Sequence, residues 1–241
     1  MQERRRDAGT TFVTGRDLLA LRWIGEQYCI LFDQLQLLLS LYAQTRHKRD
    51  TALLQVSPTY KVTQRWLDFG YIDPPRKFLA RQPPCLWLSR KGLTALELPY
   101  PYYQPKMNVI RHRYAVNAVR LHMQRHRFTQ QVQWVSQRTL AQETGEHLLP
   151  DAELRCKGMQ QFIAIQVMEK APSRLNNGIA HLTTLANRYT QVWYFLAPEA
   201  LESMHKISAA CDSTVTQRLV TYTLSMQEVS YVSQITPEPF S

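Results

Sequence analysis

What this 241-residue chain lacks removes several classes of protein. No apolar run approaches the roughly 20 residues that a membrane-spanning helix needs, so neither a transmembrane segment nor a membrane partner is expected. Arginines near the N-terminus are not followed by an apolar core, so no signal peptide is expected and the cytoplasm is the expected location. The sequence has only 8 glycines, too few for low complexity, and shows no internal repeat. Cys29, Cys85, Cys156 and Cys211 lie far apart without CxxC spacing. No histidine or second cysteine lies at zinc-ligand distance, so buried free thiols in a reducing compartment are expected.

Acidic residues are missing from one long stretch. The net charge is +10, but residues 1–98 carry +6, residues 99–131 carry another +6 with no acid, and residues 132–241 carry −2. A polyanion is the partner this asymmetry suggests for the first 131 residues. The C-terminal part must have a different task.

The stretch Ser57 to Gly92 reads as a helix, a short strand, a basic hairpin tip and a second strand. Ser57 suits an N-cap and Pro58 the first helical position. Val62, Trp66 and Phe69 give one apolar face. Thr59, Lys61, Gln64 and Arg65 are left to meet a DNA groove, and Gly70 ends the helix. Arg76, Lys77 and Arg81 punctuate the hairpin, where a phosphate backbone can be met. Upstream, a helix over 17–29, a brief strand near Tyr28–Leu31 and a helix from Asp33 precede a polar loop, 44–50. Arg46, Lys48 and Arg49 in that loop are further candidate phosphate contacts. Helix, brief strand, helix, loop, helix, hairpin is the winged-helix order. A short amphipathic helix followed by a hairpin also occurs in many other folds, with the basic tip simply solvated. The expected layout is a disordered basic arm over 1–15, a winged-helix DNA-binding domain over 16–98 and an extended Pro/Tyr linker over 99–105.

Residues 106–128 read as one long helix. Lys106, Arg113, Arg120 and Arg127 recur every seven residues and so share one side, each about 10.5 Å beyond the last. They suggest a rail for a phosphate backbone. A solvated face, or a seam pairing with acids of the other domain, is the alternative. Beyond the helix, strands are expected over 132–137, 151–156, 161–168, 191–196 and 218–224, with helices over 173–189 and 198–207. The expected fold class is α+β: a winged helix-turn-helix, then a small α/β restriction-endonuclease-like domain over 106–241 with a mixed central sheet.

Pro150-Asp151 followed by the strand through Gln166 to Met168, then Glu169-Lys170, has the layout of a PD-(D/E)XK nuclease site. There an aspartate and an acid on the next strand hold Mg²⁺ while a lysine two residues on serves the attacking water. Here Gln166 stands for the acid and Met168 for the lysine. Strand alternation sends Glu169 to the face opposite Gln166 and leaves Lys170 one step too far. No catalytic residue and no cofactor are therefore expected. An active enzyme would need Mg²⁺ and displaced ligands drawn from Asp151, Gln166, Glu169 and Lys170.

Five short motifs follow one another over residues 16 to 196: Arg65-Trp66-Leu67 with Gly70-Tyr71-Ile72; Leu88-Ser89-Arg90-Lys91-Gly92; His112, Val116 and Asn117; Leu149-Pro150-Asp151-Ala152; and Ile163-Ala164-Ile165-Gln166-Val167. In this order the chain resembles the replication-relaxation proteins of plasmids and other mobile elements, which join an N-terminal winged helix to a restriction-endonuclease-like domain. The family strand usually carries an acid where Gln166 stands. The resemblance implies a double-stranded-DNA-binding protein acting in replication, transfer or transcriptional control. Its pseudo-nuclease domain would be a scaffold for homodimerisation or for a protein partner. A metal-dependent endonuclease and a protein–protein adaptor with little DNA affinity are the competing readings.

Overall fold

The structure, a computed structural model, describes residues 13–43, 55–78, 80–126, 132–146, 148–156, 158, 162–224 and the backbone of 235–237. The basic arm over 1–15 (but for residues 13–15), the loop residues Arg46, Lys48 and Arg49, and Arg127 lie outside the described residues.

Helix α1, Gly15–Glu26, starts at a capping box: Thr14 Oγ1 accepts the Asp17 N–H at 3.2 Å and Asp17 Oδ2 accepts the Thr14 N–H at 2.8 Å. Strand β1, Ile30–Leu31, leads straight into α2, Phe32–Ala43. Helix α3, Val56–Asp68, begins earlier than Ser57: Gln55 is its N-cap and makes no side-chain capping bond. Pro58 thus sits in the first turn, where amide protons have no helical partner in any case. Ala20, Leu21, Trp23 and Ile24 of α1, Leu35, Leu38 and Leu39 of α2, and Val62 and Trp66 of α3 form one core. The apolar period of each helix is what brings them together.

Gly70, at φ +70, ends α3. The hairpin that follows is joined by antiparallel bridges Ile72–Leu88 and Arg76–Cys85, and its return strand β2, Cys85–Leu86, pairs antiparallel with β1. Ser89 does not close a strand. Its Oγ caps Gly92 N at 2.9 Å and opens the short helix α4, Arg90–Ala95. Gly92 is required by close approach, since a Cβ there would lie 2.0 Å from the Tyr71 carbonyl oxygen.

The 99–105 segment has neither helix nor strand, but it is pinned. The Tyr100 hydroxyl meets Thr139 Oγ1 at 2.9 Å, the Tyr102 hydroxyl donates to Asp73, and both rings pack on the first core. Helix α5, Met107–Arg125, then runs between the N-terminal helices and a sheet. On one side Asn117 donates to the Cys29 carbonyl at 2.8 Å and Tyr114 to Asp33 at 2.9 Å. On the other, Ala115, Val116, Val119 and Met123 pack on sheet residues Trp134, Leu154, Ile163, Ile165 and Phe195.

The sheet is built from β3, Val132–Ser136; β4, Ala152–Cys156; β5, Phe162–Met168; β6, Gln191–Leu196; and β7, Leu219–Leu224, with β8, Ile235–Pro237, on the edge. Its spatial order follows the chain. β3, β4 and β5 form an antiparallel meander, β6 and β7 are parallel to β5, and β8 is antiparallel to β7. The fold is therefore α+β with a mixed sheet. Helix α6, Gln137–Thr144, follows β3 directly and was not expected. Helices α7, Leu175–Arg188, and α8, Leu201–Ala209, cover the sheet face opposite α5 through Leu182, Leu185, Met204 and Ile207; a short α9, Ser213–Thr216, precedes β7. Strand alternation explains the split, with Ile163, Ile165 and Val167 on the α5 side and Ala164 on the α7 side.

Candidate functional site

The outward face of α3 is the first candidate. Ser57, Tyr60, Lys61 and Gln64 are all exposed, and they fall three or four residues apart on one stripe. Gln64 donates to Asp68 Oδ1 at 2.9 Å, within the same stripe. Arg76, Lys77 and Arg81 are exposed on the hairpin. Two residues expected on this surface are elsewhere. Thr59 is fully buried and its hydroxyl donates back to the Gln55 carbonyl at 3.1 Å. Arg65 turns inward and donates to Asp17 Oδ2 at 2.6 Å. Asp17 is completely buried, and the guanidinium supplies the opposite charge that such a carboxylate requires. Tyr60, 62% exposed, is the groove candidate that sequence reasoning missed.

The expected rail is not a rail. Lys106 is exposed at the start of α5, but Arg113 and Arg120 face the seam. Arg113 donates to Gln137 Oε1 at 3.1 Å and lies 4.2 Å from the Tyr28 ring centroid. Arg120, 7% exposed, donates to Glu26 at 2.6 Å and sits over the Trp23 ring at 4.9 Å. Gln27, with its amide oxygen turned toward them, accepts from Arg120 at 2.8 Å and from Trp134 Nε1 at 2.9 Å. Arg138 completes the seam: it donates to the Gly25 carbonyl at 2.7 Å and to the Pro101 carbonyl, between the rings of Tyr28 and Tyr100. A seven-residue spacing identifies arginines that share a side. Here that side meets aromatic rings and an acid from α1 and its exit turn.

The second candidate is a cleft of about 420 Å³ at the C-terminal end of β5, lined among others by Asn108, Arg111, His112, Gln166, Glu169, Lys170 and His181. The ends of parallel strands are where α/β sheets commonly present their sites. Asp151 precedes β4 and is 3% exposed; its Oδ2 accepts the Val167 N–H at 2.8 Å. Gln166 Oε1 lies 3.3 Å from His181 Nε2. Glu169, one residue beyond the strand, lies on the α5 side with Ile163, Ile165 and Val167 and meets His112 and Arg111 of α5, whereas Gln166 faces His181 of α7; both line the rim of the cleft. Lys170 is exposed at the rim.

His112 of α5 joins the two carboxylates. Its Nε2 lies 2.7 Å from Asp151 Oδ1 and its Nδ1 2.9 Å from Glu169 Oε1. Ionised carboxylates only accept, so both ring nitrogens must donate and the ring is an imidazolium. Burial works against that charge, but the bonds to Asp151 and Glu169 outweigh it and lift the His112 pKa to about 9. His181 is instead pushed down by burial and is neutral. Arg111 Nε stands 3.5 Å from Glu169 Oε2, and Arg111 also reaches Glu199 at 3.7 Å.

No family model, curated protein or solved structure matches this chain. Its chemistry must be read from its own side chains.

The donor set does not suit Mg²⁺, which wants several oxygens in a near-octahedral shell. Gln166 offers a neutral amide that already faces His181, and Met168 offers a thioether. Each oxygen of Asp151 and of Glu169 already faces a nitrogen donor. His112 was legible in the sequence only as part of a motif. No spacing rule connects residue 112 with 151 and 169.

Proposed function

We propose that this protein binds double-stranded DNA through the outward face of α3 and the basic hairpin tip, and that its sheet serves as scaffold rather than as nuclease. The observation that carries the reading is the exposure of Tyr60, Lys61 and Gln64 on one helix stripe and of Arg76, Lys77 and Arg81 on the hairpin that follows that helix in the chain. An α-helix fits the major groove, where polar side chains read base edges, while cations on an adjoining hairpin meet phosphates. The pairing of β1 with the return strand of the hairpin supports naming this half a winged helix. The succession α5, β3, α6, β4, β5, α7, β6, with Asp151 beside Gln166 at the strand ends, supports a restriction-endonuclease-like second half, α6 being an insertion between the first two strands. Together they favour the replication-relaxation resemblance, and with it a role in replication, transfer or transcriptional control of a mobile element.

Recovering bound sequences from a random duplex pool, in the presence of EDTA, tests the reading. The unaltered chain enriches one motif. Tyr60→Ala with Lys61→Ala binds duplex more weakly and enriches none. Equal enrichment by both proteins would assign recognition to another surface.

A further inference from the structure

We infer that the cation of the β5 cleft is built into the chain: the His112 ring lies between Asp151 and Glu169 in the place a divalent metal would need, so the cleft refuses metal and uses the ring to fasten α5 to the sheet. The inference deepens the scaffold half of the proposed function, and its failure would leave the DNA-binding surface untouched.

The carboxylate oxygens beside the ring already face nitrogen donors. His112 takes Asp151 Oδ1 at 2.7 Å and the Val167 amide takes Oδ2 at 2.8 Å. The same ring takes Glu169 Oε1 at 2.9 Å and Arg111 approaches Oε2 at 3.5 Å. A metal entering here would displace at least one charge-assisted hydrogen bond and sit against an imidazolium, with Arg111 and Arg113 adding positive charge nearby. Two carboxylates facing one ring otherwise repel, and one cation between them removes that repulsion whether it is a metal or a ring.

The position of His112 on α5 gives the bridge its consequence. Asn117 and Tyr114, on the same helix, bond the N-terminal half at Cys29 and Asp33. The ring therefore connects the sheet's strand ends, through one helix, to the core that supports α3.

Thermal unfolding with small-molecule rescue tests this. His112→Ala should lower Tm, and imidazole at millimolar concentration should recover part of the loss. N-methylimidazole, whose cation has a single N–H, should not. Millimolar Mg²⁺ or Mn²⁺ should leave the Tm of the unaltered chain unchanged. Overturning results would be rescue by both compounds alike or by neither, or a metal-dependent rise in Tm that Asp151→Asn abolishes. If His112→Ala does not fold, nitrogen NMR of the unaltered chain decides: both His112 ring nitrogens should be protonated at neutral pH and unmoved by Mg²⁺. A deprotonated ring nitrogen, or one that shifts with Mg²⁺, would overturn the inference.

Discussion

Raising the pH should weaken this fold in a window set by one side chain. In the unfolded chain His112 titrates near 6.5, and in the folded chain at about 9. Between these values the native state keeps a proton that the unfolded state has lost, so stability is full below 6.5 and falls as pH rises toward 9. At about 1.4 kcal/mol for each pH unit the loss amounts to ~3 kcal/mol. The side chain is 31% exposed, and solvent screening reduces this to ~2 kcal/mol. The other charged groups facing the ring are Asp151, Glu169, Arg111 and Arg113. His181, nearby, is held below its ordinary value and stays neutral across this window. Urea unfolding at pH 6.5 and at pH 9, for the unaltered chain and for His112→Gln, measures the effect. The glutamine variant should be less stable at pH 6.5 and should lose ~2 kcal/mol less between the two pH values. Equal losses in both proteins would refute the bridged imidazolium.

Three further outcomes follow from packing. Arg65→Ala leaves Asp17 buried without its partner and should cost about 3 kcal/mol in urea unfolding, even though the sequence places Arg65 among the DNA contacts. Arg138→Met keeps volume but removes two bonds to backbone carbonyls and two ring contacts, and should lower stability by ~2 kcal/mol in the same assay. A thiol reagent added to the native protein should spare Cys29 and Cys85, which are fully buried and close enough for a bond to Cys29, together with burial, to raise the Cys85 thiol. Mass spectrometry should locate modification at Cys156 and Cys211 alone, the two half-buried thiols.

The sheet was legible where the chain carries continuous apolar runs. Gln191–Leu196 was expected to the residue, and Phe162–Met168 within one. Such strands are covered on both faces and announce themselves by composition. Helix α6 was missed because Gln137–Thr144 is largely polar, its start being fixed by Ser136 Oγ capping Thr139. On α3 the period correctly placed Val62 and Trp66 inside but could not say that Arg65 would find Asp17, 48 positions away. The same limit applies to Arg113 and Arg120: periodicity sorts residues into faces, whereas which face is covered depends on elements remote in sequence. Glu169, one residue beyond β5, keeps the α5 side that alternation gives it, but no spacing rule announced that His112 would meet it there. Among the described residues no helix is long and apolar enough to cross a membrane, in line with the apolar runs of the sequence.

In the proposed function, exposed cations on α3 and the hairpin meet DNA phosphates. Fluorescence anisotropy of a labelled duplex over a salt series, in EDTA, tests it most directly. Each phosphate contact adds about 0.9 to the slope of log affinity against log salt. Replacing Lys61, Arg76, Lys77 and Arg81 together by alanine should therefore weaken binding and flatten that slope by ~3.6. A slope and an affinity unchanged by the four substitutions would contradict the account.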